Sequence, residues 1–137
     1  MTNILSHTSK DIFHNVNNSW TSVLYSTLLI SGSELAKTEW EKLFMIWLAE
    51  HDQAHIGLGF VGIDFDDIHW TKENFDEQKT FVIDIAKIAI SNKSWNKLDY
   101  HPDEKILTSV LQLWIEIFSD ATTDDIKKEL VDFWERN

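Results

Sequence analysis

At 137 residues the chain fits one domain, residues 1–137, long enough to bury roughly 70% of its unfolded surface in a single core. Its 12 Lys and Arg against 23 Asp and Glu give a formal net charge of −11, which repels phosphate backbones and anionic lipid and disfavours direct nucleic-acid or membrane-surface binding. The same charge favours a basic protein surface as partner, and it also serves plain solubility. The absence of cysteine removes disulfides, thiolate zinc sites, iron–sulfur clusters and a cysteine nucleophile, and fits a reducing, cytoplasmic setting.

The chain holds one proline, Pro102, and four glycines, Gly32, Gly57, Gly59 and Gly62, so the segments between breakers are long and read as helices. From about Ser9 to Ile30, apolar residues recur at steps of three and four: Ile12, Phe13, Val16, Trp20, Val23, Leu24, Leu28 and Leu29. This spacing predicts a first helix, with an interruption at NVNNS (15–19) and a stop at Gly32. Within it VLYSTLLI (23–30) falls well short of the roughly 20 apolar residues of a membrane-spanning helix. No basic region followed by an apolar core opens the sequence, so neither insertion nor secretion is expected.

Ser33, followed by Glu34 and Leu35, is expected to restart a second helix that runs to about Ala54 with Ala36, Trp40, Leu43, Phe44, Trp47 and Leu48 on one face. Extending that stripe reaches His51, Ala54 and His55. Between Ile56 and Trp70 the period changes to Leu58, Phe60, Ile63 and Phe65 alternating with glycine and aspartate, which predicts a short extended segment or ordered loop. Thr71 is a candidate N-cap for a third helix to about Ser91, apolar nearly all round from Phe81 to Ile90 and therefore the most buried. In NKSWNKLDYHP (92–102), Trp95, Leu98 and Tyr100 are expected to fold back onto the core. Asp103 or Pro102 opens a fourth helix to about Ser119, burying Leu107, Val110, Leu111, Trp114, Ile117 and Phe118. Thr122 or Thr123 caps a last helix through Ile126, Leu130, Val131 and Phe133 to Trp134. The expected architecture is all-α, a single-domain bundle of about five helices with one irregular Gly/Asp-rich insert.

Three constellations carry candidate chemistry. His51 and His55, at i and i+4, share a helix face, and His51-Asp52-Gln53-Ala54-His55 resembles HExxH with Asp for Glu. A metal site would need a third ligand from Asp64, Asp66, Asp67 or His69, and the shorter aspartate would displace a base poised on zinc-bound water. The other reading makes His51 a hydrogen-bonded residue near a helix C-terminus, where its charge is favourable, and His55 a cap. Secondly, GLGFVG (57–62) matches GxGxxG literally, but the expected element before it is a helix and IDFDD follows, so three aspartates would repel a pyrophosphate. These glycines read as tight turns.

The third constellation is the acidic run after residue 60. Asp64, Asp66, Asp67, Glu73, Asp76, Glu77 and Asp84 face only Lys72 and Lys79 over that stretch, with Phe65, Trp70 and Phe75 interleaved. Carboxylates for steering and aromatics as anchors make a protein interface one reading. A solvated loop whose aromatics enter the core is the other. Of the seven tryptophans, Trp20, Trp40, Trp47 and Trp114 fall on apolar stripes and read as core, whereas Trp70, Trp95 and Trp134 sit at element ends. Asp84, alone within VIDIA, must be paired, solvated or facing a groove. No serine or threonine occupies a nucleophile-elbow context.

The run WLAEHDQAHIGLGFVGIDFDDIHW, followed by FDEQKTFVIDIAKIA and WNKLDYHP, resembles small acidic bacterial immunity proteins of toxin systems, of the contact-dependent growth inhibition type or related. The resemblance covers most of residues 40–118 and rests on aromatic and glycine spacing, with no catalytic motif in it. It implies a non-enzymatic, cytoplasmic protein that neutralises a cognate basic toxin, such as a nuclease, by covering a functional surface. Contact residues do not carry over, because such proteins meet their toxins through different surfaces. From the residues themselves, the expected partner-binding set is Asp64, Phe65, Asp66, Asp67, Trp70, Glu73, Asp76 and Glu77, with no catalytic residue, cofactor or metal. The alternatives are a small metal-dependent enzyme using His51, His55 and Asp64 or His69, or a helical adaptor or oligomer without a toxin. The oligomeric state is open at this stage.

Overall fold

A computed structural model describes residues 2–7, 12–58 and 63–126, with side chains described for Leu5, 19–52 and 63–126. The body is all-helical, as the scarcity of glycine and proline predicts. Four α-helices, α1 (Asn18–Leu35), α2 (Glu39–Leu58), α3 (Phe75–Asn92) and α4 (Glu104–Ser119), carry most of the described residues. Where a fifth helix is expected to start, the described residues form only a 3-10 turn, Thr123–Asp125, with Thr122 as its N-cap, and the extended backbone of Ile126 closes it, so four helices stand where about five are expected. Leu130, Val131, Phe133 and Trp134 of the expected helix lie outside the described residues.

A small sheet is added to this body. β1 (Thr2–His7) and β2 (Ile12–Asn17) pair antiparallel, with Thr2 opposite Asn17 and His7 opposite Ile12. β3 (Ile63–Asp64) joins β1 in parallel, Leu5 opposite Ile63, so the strand order is β2-β1-β3. The first predicted helix therefore starts too early. Asn15, Asn17 and Asn18 are poor interior helix formers, and Asn and Ser favour a helix start, so NVNNS marks the junction at which strand becomes helix.

Gly32 does not stop α1, which continues to Leu35. A methyl group at Gly32 would collide with the end of the Met45 side chain from α2 and touch Ile85 Cγ2 of α3 at 3.5 Å. The glycine therefore admits close approach of helices. Beside it the buried Ser31 Oγ donates to the Ile85 carbonyl at 2.7 Å, tying α1 to α3. The true restart is Thr38-Glu39-Trp40-Glu41, where the Glu41 amide donates to Thr38 Oγ1 at 3.1 Å and Glu41 Oε1 accepts from the Thr38 amide at 3.2 Å. That reciprocal pair is a capping box, and it displaces the expected cap at Ser33 by five positions, to Thr38.

α3 packs against α1 and α4 and buries Phe81, Val82, Ile85 and Ala86 among others. It ends at Lys93 in the left-handed region (φ 49°), whose amide caps the Ala89 and Ile90 carbonyls. α4 starts at Asp103, which accepts from the Lys105 and Ile106 amides, and it buries the six residues expected of it. Trp114 Nε1 donates to the Val82 carbonyl at 2.8 Å, fixing α4 on α3. In the connection between them Trp95 is buried and Leu98 half-buried, whereas Tyr100 is 49% exposed, against expectation.

Candidate functional site

The segment between α2 and α3 positions the expected partner-binding residues, and it divides them. Phe65, Trp70 and Phe75 are 1%, 6% and 2% exposed, so none of the three is a surface anchor. Phe65 and Trp70 stack at 5.0 Å between ring centroids, Phe75 meets both edge-on, and Phe118 of α4 closes the cluster. Trp40 of α2 stacks on the other side of Trp70 at 5.8 Å. Each indole is also tethered: Trp70 Nε1 donates to the Phe65 carbonyl at 2.9 Å and Trp40 Nε1 to the His69 carbonyl at 2.7 Å. Buried aromatics with satisfied N–H groups hold a loop to a core. The core reading of these side chains replaces the interface reading.

Two of the three aspartates of this segment, Asp64 and Asp67, act on their own backbone. Residues 65–67 form a 3-10 turn whose N-cap is Asp64. Asp64 Oδ2 accepts from the Asp66 amide at 3.1 Å, and Asp67 Oδ2 accepts from the Asp64 amide at 2.7 Å. Crowding has an electrostatic consequence. Loss of hydration raises the Asp67 pKa from its ordinary value, with Asp64 and Asp66 adding to the rise and the Asp64 N–H and His51 opposing it.

The remaining acids of the set are placed otherwise. Glu73, Asp76 and Glu77 are exposed at the entry to α3, and no hydrogen bond or ion pair among the described residues engages their carboxylates. Gln78, by contrast, is buried and binds Thr71 twice, accepting from its amide at 2.9 Å and donating to its hydroxyl at 2.6 Å. The loop is thus locked to α3 from below while the acids point outward. Thr71 holds this position without capping the helix by its side chain, and α3 proper begins at Phe75.

Next to this rim a groove of about 470 Å³ runs between the α1–α2 turn and α3. Leu35 and Phe81 supply apolar wall, and Glu41, Asp76, Glu77 and Asp84 supply carboxylates. Glu77, Phe81 and Asp84 are spaced four and three apart, one face of α3. Asp84, the lone acid of the apolar run, therefore opens onto a groove. A neighbouring recess of about 360 Å³, reaching Glu39, Trp40 and Asn74, shares Glu41 and Glu77 with it.

His51 is half-buried on α2, its ring 4.9 Å from Trp47 and 5.9 Å from Tyr25, edge-on to the latter. It continues the buried stripe. The His55 side chain and the glycines Gly59 and Gly62 lie outside the described residues. Among those that are described, no three His, Asp or Glu side chains are grouped to hold a metal ion. Sequence reasoning missed the companions of His51: Tyr25 is fully buried and Asp52 nearly so. Burial, then the charges of Asp52 and Asp67, push the Tyr25 phenol far above its ordinary value, so it stays protonated. The signal available was Tyr25 itself, one residue from Leu24 on the α1 stripe.

No helix among the described residues is long and apolar enough to cross a membrane. No protein-family model, curated protein or solved structure matches the chain.

Proposed function

We propose that this chain is a cytoplasmic, non-enzymatic immunity protein that binds a cognate basic toxin and neutralises it by covering a functional surface. The observation that carries the reading is the set of exposed, unengaged carboxylates of Glu73, Asp76 and Glu77 beside an acidic groove, on a chain of net charge −11. Asp64 and Asp103 are engaged by amides of their own turns, whereas Glu73, Asp76 and Glu77 make no hydrogen bond or ion pair among the described residues. Acids left open on a rigid helix entry raise the rate at which a cationic surface arrives. The resemblance to acidic immunity proteins supports the same reading.

Occlusion asks little chemistry of the binder. It needs a stiff platform and a complementary charge, and the tethered indoles of Trp40 and Trp70 provide the stiffness under the rim. The test is genetic and physical together. A large toxin gene immediately upstream is expected, its product alone should arrest growth, and co-expression with this chain should restore growth and yield a one-to-one complex that weakens with salt. Absence of such a gene, or arrest that this chain does not relieve, overturns the reading.

A further inference from the structure

We infer that the groove between the α1–α2 turn and α3 is a pocket for a lysine or arginine side chain inserted by a basic segment of the partner. The inference rests on the reading of the chain as a binder of a basic protein and names the point at which recognition is made. A bare cluster of acids would attract any cation, but this groove combines two kinds of surface. Leu35 and Phe81 offer apolar wall to an aliphatic stem, and Asp76, Glu77 and Asp84 line the same groove and offer carboxylates to a cationic head. Lysine and arginine have that division of apolar stem and charged tip.

Charge decides the occupant. No hydrogen bond or ion pair among the described residues engages Asp76, Glu77 or Asp84, so their charge is available to a ligand. Glu41 is partly committed, since its Oε1 accepts from the Lys37 and Thr38 amides at 2.8 and 3.2 Å. Opposing terms exist: Lys37 lines the groove, and the N-termini of α2 and α3 each contribute about half a positive charge at their first turns. These do not cancel four carboxylates. Asp84 matters most, because it is half-buried and its charge is less screened than that of the exposed Asp76 and Glu77.

The experiment titrates the isotope-labelled full chain with a short capped peptide of alternating arginine and alanine, and with the same peptide carrying citrulline, the neutral isostere, in place of arginine. The arginine peptide should shift the amide resonances of Leu35, Thr38, Thr80 and Asp84, with affinity that falls as salt rises, and the citrulline peptide should not. Asp84→Asn should weaken binding about tenfold and Glu77→Gln about threefold, whereas Asp99→Asn, the same charge change at an exposed acid outside the groove, should leave it unchanged. Glu77 is exposed, so Glu77→Gln decides the matter if Asp84→Asn unfolds. Shifts centred elsewhere, equal binding of the citrulline peptide, or indifference to both groove variants overturns the pocket. Growth rescue that persists undiminished in both variants also removes the pocket while leaving the immunity reading standing; peptide binding in the groove without any rescue does the reverse.

Discussion

The loop at 63–70 and the entry to α3 at 72–84 look alike in sequence, each acidic and each carrying aromatics, yet they do opposite things. In the first, Asp64 and Asp67 are turned onto the backbone, and Phe65 and Trp70 are sealed beneath. In the second, Glu73, Asp76 and Glu77 are open to solvent, while Phe75, Gln78, Phe81, Val82 and Ile83 go inward. The difference comes from local geometry. In the 3-10 turn at 65–67 the Asp64 and Asp67 carboxylates reach amides two and three residues away, whereas Asp76 and Glu77, in the first turn of α3, and Glu73, in the 3-10 turn before it, reach none. Composition therefore identifies an acidic region and says little about whether its charge is spent on folding or held for a partner.

The sharpest way to break this contrast is Trp70→Ala. Removing a buried indole that stacks on both Phe65 and Trp40 should cost about 3–5 kcal/mol, read as a large fall in thermal or urea midpoint. An anchor on the surface would instead leave stability nearly unchanged and reduce binding alone. Asp76→Lys together with Glu77→Lys should show the converse. Stability should fall by no more than about 1 kcal/mol for each lost helix-dipole contact. Association with the toxin should slow about tenfold or more at low salt and recover towards the unmodified rate as salt rises, measured by stopped-flow or surface binding kinetics.

Much of the helical body was legible because its signals are local and periodic. The six buried residues of α4 and its Asp103 cap followed from spacing and one capping residue. The strands were not legible: Ile12, Phe13 and Val16 of β2 also fit helical steps of three and four, and β1 meets its parallel partner β3 only 58 residues along the chain, Leu5 against Ile63. Gly32 misled for a related reason. Its role is to admit Met45 and Ile85 from other helices, a tertiary demand that overrides its helix-breaking tendency. Thr38-x-x-Glu41 was a readable capping box passed over in favour of the nearer Ser33. The acids of the rim were readable as a patch, but the groove was not, since Leu35 and Asp84 meet only after α1 and α3 pack.

A smaller effect tests the structural half of the comparison. Asp64→Ala removes the cap of the 3-10 turn and should cost about 1 kcal/mol, without changing the rate at which a basic partner arrives. If association slowed as much as in the Asp76 and Glu77 variant, the loop would belong to the binding surface after all. Asp64 would then have both roles.

The finest distinction is one of pH. The folded state raises the Asp67 pKa above 3.8, so it binds that proton more tightly than the unfolded chain does. The favourable contribution is complete below 3.8 and is lost as pH rises through the folded value; above it, the ionised carboxylate opposes folding beside Asp64 and Asp66, with His51 the nearby group that offsets it. Asp67→Asn keeps an oxygen to accept from the Asp64 amide and removes the charge. The variant should therefore gain stability relative to the parent at neutral pH, and the two curves of unfolding midpoint should converge as pH falls towards 3.8. Curves that stay parallel across that window would mean that the Asp67 charge is as well hydrated as those of the rim, and the loop would lose the crowded carboxylate that sets it apart.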